Sequence, residues 1–74
     1  MGIVYLRGLR SARIRAGLSL ADVAKPMGVS RQAVQQWELG TRWPNPDRLP
    51  ALAELLGVTI DELYYGNYEG GSEN

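Results

Sequence analysis

Arg31, Gln32, Gln35 and Gln36 carry the end groups in this chain best suited to recognition chemistry. A glutamine amide sets a donor beside an acceptor, which matches the N6 and N7 edge of adenine. A guanidinium sets two donors side by side, which matches O6 and N7 of guanine. Placed at ~100° per residue, the four fall within one arc of a helix. Ala33, Val34 and Trp37 fall on the opposite side and read as a core seam. The arc faces either water alone or a polar partner.

Two short helices and a tight turn between Leu18 and Gly40 must hold that arc in place. Ser19 with Asp22 forms an S-x-x-D variant of the capping box and opens a helix over Leu20 to Met27. Leu20, Val23, Ala24 and Met27 face inward. Pro26 deletes a bond to the Asp22 carbonyl near the end, which predicts a distorted last turn and not an abolished helix. Gly28 makes the turn, where a positive φ is easiest for glycine. Ser30 is an N-cap, so the next helix runs from Arg31 to Leu39, and Gly40 stops it.

The ordered set Val23, Ala24, Met27, Gly28, Val29, Val34 and Trp37, followed by WELG, a proline loop and LAELLGVTIDEL, resembles the Cro and phage-repressor family. This is the xenobiotic-response-element type of helix-turn-helix regulator. The resemblance covers about Leu9 to Leu63. It implies an all-α, compact five-helix bundle and sequence-specific binding to double-stranded DNA through the helix from Arg31 to Leu39. It implies base contacts at Arg31, Gln32 and Gln36. Gln35, on the same arc, reaches a base or the groove wall. It also implies a largely buried ion pair between Arg13 and Glu38, since the family places an arginine and a glutamate there. Two departures stand out. Leu20 occupies a position where the family often has a phosphate-binding glutamine. Leu39 replaces a common asparagine and either touches a thymine methyl or sugar or packs on the following loop.

The remaining segments complete the bundle. The first helix is expected from about Leu6 to Ala16, with Leu6, Leu9 and Ala12 inward and Gly17 as its stop. The loop TRWPNPD is stiffened by two prolines. Trp43 within it covers the core, meets a second copy or sits on a DNA backbone. Asp47 is the expected N-cap of a fourth helix, with Pro50 in its first turn and Leu49, Leu52, Ala53, Leu55 and Leu56 inward. Thr59 and Glu62 form a T-x-x-E capping box for a fifth helix, Ile60 to about Tyr65. The domain is expected to span 1–66, with 67–74 a flexible acidic tail too polar to order itself. Ile3, Val4 and Tyr5 are an apolar lead-in or arm. Tyr64, Tyr65 and Tyr68 form either a dimer patch or a partial cover for the core.

Seventy-four residues make one small domain that buries ~60–65% of its unfolded surface. With no cysteine and no histidine, disulfides and the usual zinc ligand sets are out of reach. No metal, cofactor or small-molecule ligand is expected. No apolar run approaches the ~18 residues of a membrane span, and a cytoplasmic location is expected. The net charge is zero, yet residues 1–48 carry eight bases and three acids, while 49–74 carry five acids and no base. A basic face of this kind suits phosphate, or is merely solvated. Arg10, Ser19, Thr41 and Arg42 are the expected phosphate contacts, which orient a domain without reading bases. No nucleophile elbow and no phosphate loop occurs in the sequence, so no enzyme is expected. A homodimer on a near-palindromic operator is expected, because one helix reads too few base pairs. A protein-interaction module or antitoxin that keeps the same fold is the alternative.

Overall fold

The computed structural model describes residues 6–66, and within them five α-helices and one 3₁₀ turn follow in order. They are α1 Leu9–Arg15, α2 Leu20–Met27, α3 Arg31–Leu39, the 3₁₀ turn Pro46–Arg48, α4 Leu49–Leu56 and α5 Ile60–Tyr65. There is no strand among the described residues. The apolar lead-in at 3–5, the acidic tail at 67–74 and Tyr68 lie outside them.

Local capping explains the α2–α3 unit. The Ser19 hydroxyl accepts from the Asp22 N–H at 3.0 Å, and the Asp22 carboxylate accepts from the Ser19 N–H at 2.8 Å. Two of the orphan donors at the α2 start are thereby satisfied. Despite Pro26, α2 continues to Met27. Gly28 then turns the chain with φ 70°, and Val29 N–H closes back on the Ala24 carbonyl at 3.1 Å. Ser30 accepts from the Ala33 N–H at 3.0 Å, which fixes where α3 begins.

The first helix differs from expectation. It starts at Leu9 and ends at Arg15, shorter than Leu6 to Ala16. Residues just before it serve α5 instead. Gly8 N–H donates to the Leu63 carbonyl at 2.8 Å, and Arg7 N–H to the Tyr64 carbonyl at 3.3 Å. Carbonyls at the end of α5 lack partners within their own helix, and these N–H groups supply them. The approach is so close that a Cβ on residue 8 would lie 1.8 Å from the Glu62 carbonyl oxygen, so only glycine fits.

The start of α4 differs too. Asn45, not Asp47, is the cap: its side chain accepts from the Asp47 N–H at 3.0 Å and opens the 3₁₀ turn, with Pro46 in first position. A proline there loses nothing, since its missing N–H would have been an orphan. Pro50 then falls in the first turn of α4.

One cluster joins all five helices. It includes Leu6, Leu9 and Ala12, then Val23, Ala24 and Met27, then Val34 and Trp37, then Leu49, Leu52, Ala53 and Leu56, and Leu63. Leu9, Val23, Val34, Leu52 and Leu63 have no exposed surface. Each such side chain stabilises the fold by ~1.5–3 kcal/mol. Trp43 does not cover this core. It is 62% exposed, and its neighbour Pro44 is the buried residue of the loop. The short, proline-held loop turns one residue inward at that point. Leu39 is 61% exposed, so it is not packed away under the loop either.

Candidate nucleic-acid interface

The outward face of α3 is held from behind by three side chains at helical spacing. Val34 and Trp37 are buried in the core. Glu38 lies beside them and reaches α1, where Arg13 Nε donates to its Oε2 at 2.6 Å and Nη2 donates to Oε1 at 3.3 Å. The two side chains are 13% and 6% exposed. Arg13 Nη1 also donates to the Leu18 carbonyl at 2.9 Å. One guanidinium thus ties α1 to α3 and to the strand of chain entering α2. The hydrogen-bonded Glu38 carboxylate raises the Arg13 pKa above its usual value, against the smaller opposing effect of burial.

On the front of α3, Arg31, Gln32 and Gln35 are exposed. With Ser30 and Leu20 they line one shallow depression between α2 and α3. A second depression adjoins it, lined by Arg10, Arg13, Leu20, Gln35, Glu38 and Leu39. Leu20 and Gln35 are common to both. Gln36 lines neither of these two depressions and is half-buried. Its carbonyl accepts from the backbone N–H groups of Thr41 and Arg42, at 3.0 and 3.3 Å. The arc read from the sequence is therefore split: Arg31, Gln32 and Gln35 come together, and Gln36 stands at the edge nearest the loop.

The expected phosphate contacts flank this face unevenly. Arg10, Ser19, Thr41 and Arg42 are all exposed. The Ser19 hydroxyl caps α2 as an acceptor, so its own proton remains available to an anion. Its N–H is already taken by Asp22, whose carboxyl is held below its ordinary value chiefly by that backbone hydrogen bond. The start of a helix such as α4 can offer its N–H groups to phosphate. In the structure those of Asp47, Arg48 and Leu49 are bonded to Asn45 Oδ1, the Asn45 carbonyl and the Pro46 carbonyl. The 3₁₀ turn consumes them, and that terminus is no anion site.

Reading the sequence missed Arg48. Its Nη1 donates to the Met27 carbonyl at 2.5 Å, closing the end of α2 from the 3₁₀ turn. The Asn-Pro pair at 45–46 was the signal available for the true cap there. At the far end, Tyr64 packs against the core and Tyr65 is 57% exposed, with ring centroids 5.9 Å apart.

Comparisons with known proteins agree on one family. Residues 9–63 match the helix-turn-helix family. The chain is 36% identical over 58 residues to the HTH-type transcriptional activator BcrR of Enterococcus faecalis, covering 78% of this chain and 28% of that protein. It is 32% identical over 60 residues to YonR, an SPbeta prophage-derived HTH-type transcriptional regulator of Bacillus subtilis, covering 81% of this chain and 56% of YonR. The chain thus spans little more than a quarter of the activator and just over half of YonR. Among solved structures, the P22 c2 repressor protein in complex with a synthetic operator superposes with a TM-score of 0.71 at 34% identity. That match covers 80% of this chain and 89% of the repressor chain.

Proposed function

This chain is a member of the helix-turn-helix family, and on that premise we propose that it binds double-stranded DNA sequence-specifically and regulates transcription. The observation that carries this reading is the front of α3. Arg31, Gln32 and Gln35 stand exposed together, while Val34, Trp37 and the Arg13–Glu38 pair hold the helix from behind. A helix ~10 Å across fits the major groove, and these end groups suit base edges. The likeness to a repressor seen on its operator supports the same orientation.

In this reading Arg31, Gln32 and Gln35 enter the groove, and Gln36 reaches a base edge from the loop side. Arg10, Ser19, Thr41 and Arg42 hold phosphates. Two copies bind a near-palindromic site with half-sites ~34 Å apart. Tyr65, exposed on α5 beside Tyr64, is the natural start of a contact between copies. The work is that of a cytoplasmic regulator. No helix among the described residues is long and apolar enough to cross a membrane.

Selection of bound sites from random-sequence duplex DNA tests the proposal. An enriched motif with dyad symmetry, whose binding falls steeply with salt, is the expected result. A motif without symmetry would remove the dimer. Enrichment of nothing would remove DNA readout and leave the protein-interaction alternative.

A further inference from the structure

Leu39 is a large apolar side chain, 61% exposed, on a helix whose other exposed residues are Arg31, Gln32 and Gln35. The core does not explain it. Across the same depression stands Leu20 of α2, half-buried against the core, with Gln35 in the wall between the two depressions that Leu20 also shares. The face that the proposed function turns to DNA therefore carries two leucines beside one amide. In the major groove every base pair shows hydrogen-bonding atoms, and the apolar group on offer is the 5-methyl of thymine. Adenine, the partner of thymine, is the base whose edge an amide matches.

We propose that Leu20 and Leu39, an apolar pair lining one depression, read the 5-methyl group of thymine, so that the operator carries A·T pairs at the positions beside Gln35. The inference rests on the DNA-binding reading and adds the base preference of one part of it. Where a glutamine at position 20 would hold a phosphate, this chain has an apolar contact with sequence information. Arg10, in the same depression, keeps a cation within reach of the neighbouring phosphate.

The test changes the DNA first and then the protein. A duplex selected from random sequence by the full chain is remade with deoxyuridine at one thymine at a time, and then with 5-bromodeoxyuridine at the same place. Uracil keeps each hydrogen-bonding atom and loses only the methyl; bromine restores an apolar substituent. Burial of one methyl corresponds to about fourfold in affinity. The expected result is a loss of about that size at specific thymines of each half-site, restored by bromouracil. Leu39→Ala, an exposed change, and Leu20→Ala, with its helix content checked by circular dichroism, are measured on the same duplexes. Disappearance of the uracil penalty in either variant supports readout by this apolar pair. A penalty unchanged in both overturns it, as does a wild-type chain indifferent to uracil or a selected site without thymine. A chain that selects duplexes and ignores the methyl defeats this inference alone, whereas one that selects no duplex defeats the DNA reading with it.

Discussion

Helices α3 and α4 are nearly equal in length, yet they use their residues in opposite ways. α4 buries Leu49, Leu52, Ala53 and Leu56 out of eight residues. α3 buries only Val34 and Trp37 out of nine. A helix held by so little apolar surface needs another tie, and the Arg13–Glu38 pair supplies it at the next helical position after Trp37. The economy on the inner side leaves the outer side of α3 open to Arg31, Gln32, Gln35 and Leu39. α4 serves the core, and α3 is mounted on the core to present side chains.

That contrast can be broken at its tie. Glu38→Gln leaves the Arg13 guanidinium, only 13% exposed, without its counter-charge. The expected loss is ~3–5 kcal/mol in urea unfolding. A change within ~0.5 kcal/mol, typical of a surface site, would contradict a tie of this kind. Arg13→Met together with Glu38→Leu should lose less than either single change, because no lone charge remains buried.

A core change in α4 should behave differently. Leu52→Ala is expected to cost ~2–5 kcal/mol of stability. The folded fraction should bind the selected duplex with unchanged affinity, which a titration at low temperature would show. Ser30→Ala sharpens the contrast from the other side. It removes the cap at the start of α3 and should cost ~1 kcal/mol. Because Arg31 and Gln32 sit on the uncapped turn, it should also weaken DNA binding, although Ser30 itself is outside the core.

The smallest expected effect is at the start of α2. The folded pKa of Asp22 lies below its ordinary 3.8, mainly because the carboxylate accepts the Ser19 N–H. A lowered carboxylate pKa gives stability that is full above the unfolded value and is lost as pH falls through the folded one. The stability gap between wild type and Asp22→Asn should therefore be full at neutral pH and close below about pH 3.8. A gap that persists in acid would show that the charge is not what the capping box uses.

The parts of this molecule that were legible in its sequence are those set by neighbours along the chain. Ser19 with Asp22, Ser30, and Thr59 with Glu62 mark the starts of α2, α3 and α5, since a cap needs only residues within one turn of it. Leu6 is in the core, as its spacing with Leu9 and Ala12 predicts, although it lies before α1 and not within it. The need for glycine at position 8 was invisible, because the atom it must avoid belongs to Glu62, far along the chain. Arg48 closing the end of α2 is of the same kind. The site was half legible. Periodicity put four polar residues on one arc, but only the packed structure separates Gln36 from Arg31, Gln32 and Gln35 and sets Leu20 beside them.

The claim that α3 is mounted to read bases is tested most directly by ranking operator variants. Single base-pair variants of the selected site would be titrated with the wild-type chain, Gln32→Ala, Gln36→Ala and Arg42→Ala. Gln32→Ala is expected to cost ~1–3 kcal/mol on the preferred site and to relax the preference at one base pair. Arg42→Ala should weaken binding to every variant alike and lower the salt slope by ~1. A ranking left unchanged by both glutamine substitutions would contradict base readout by α3.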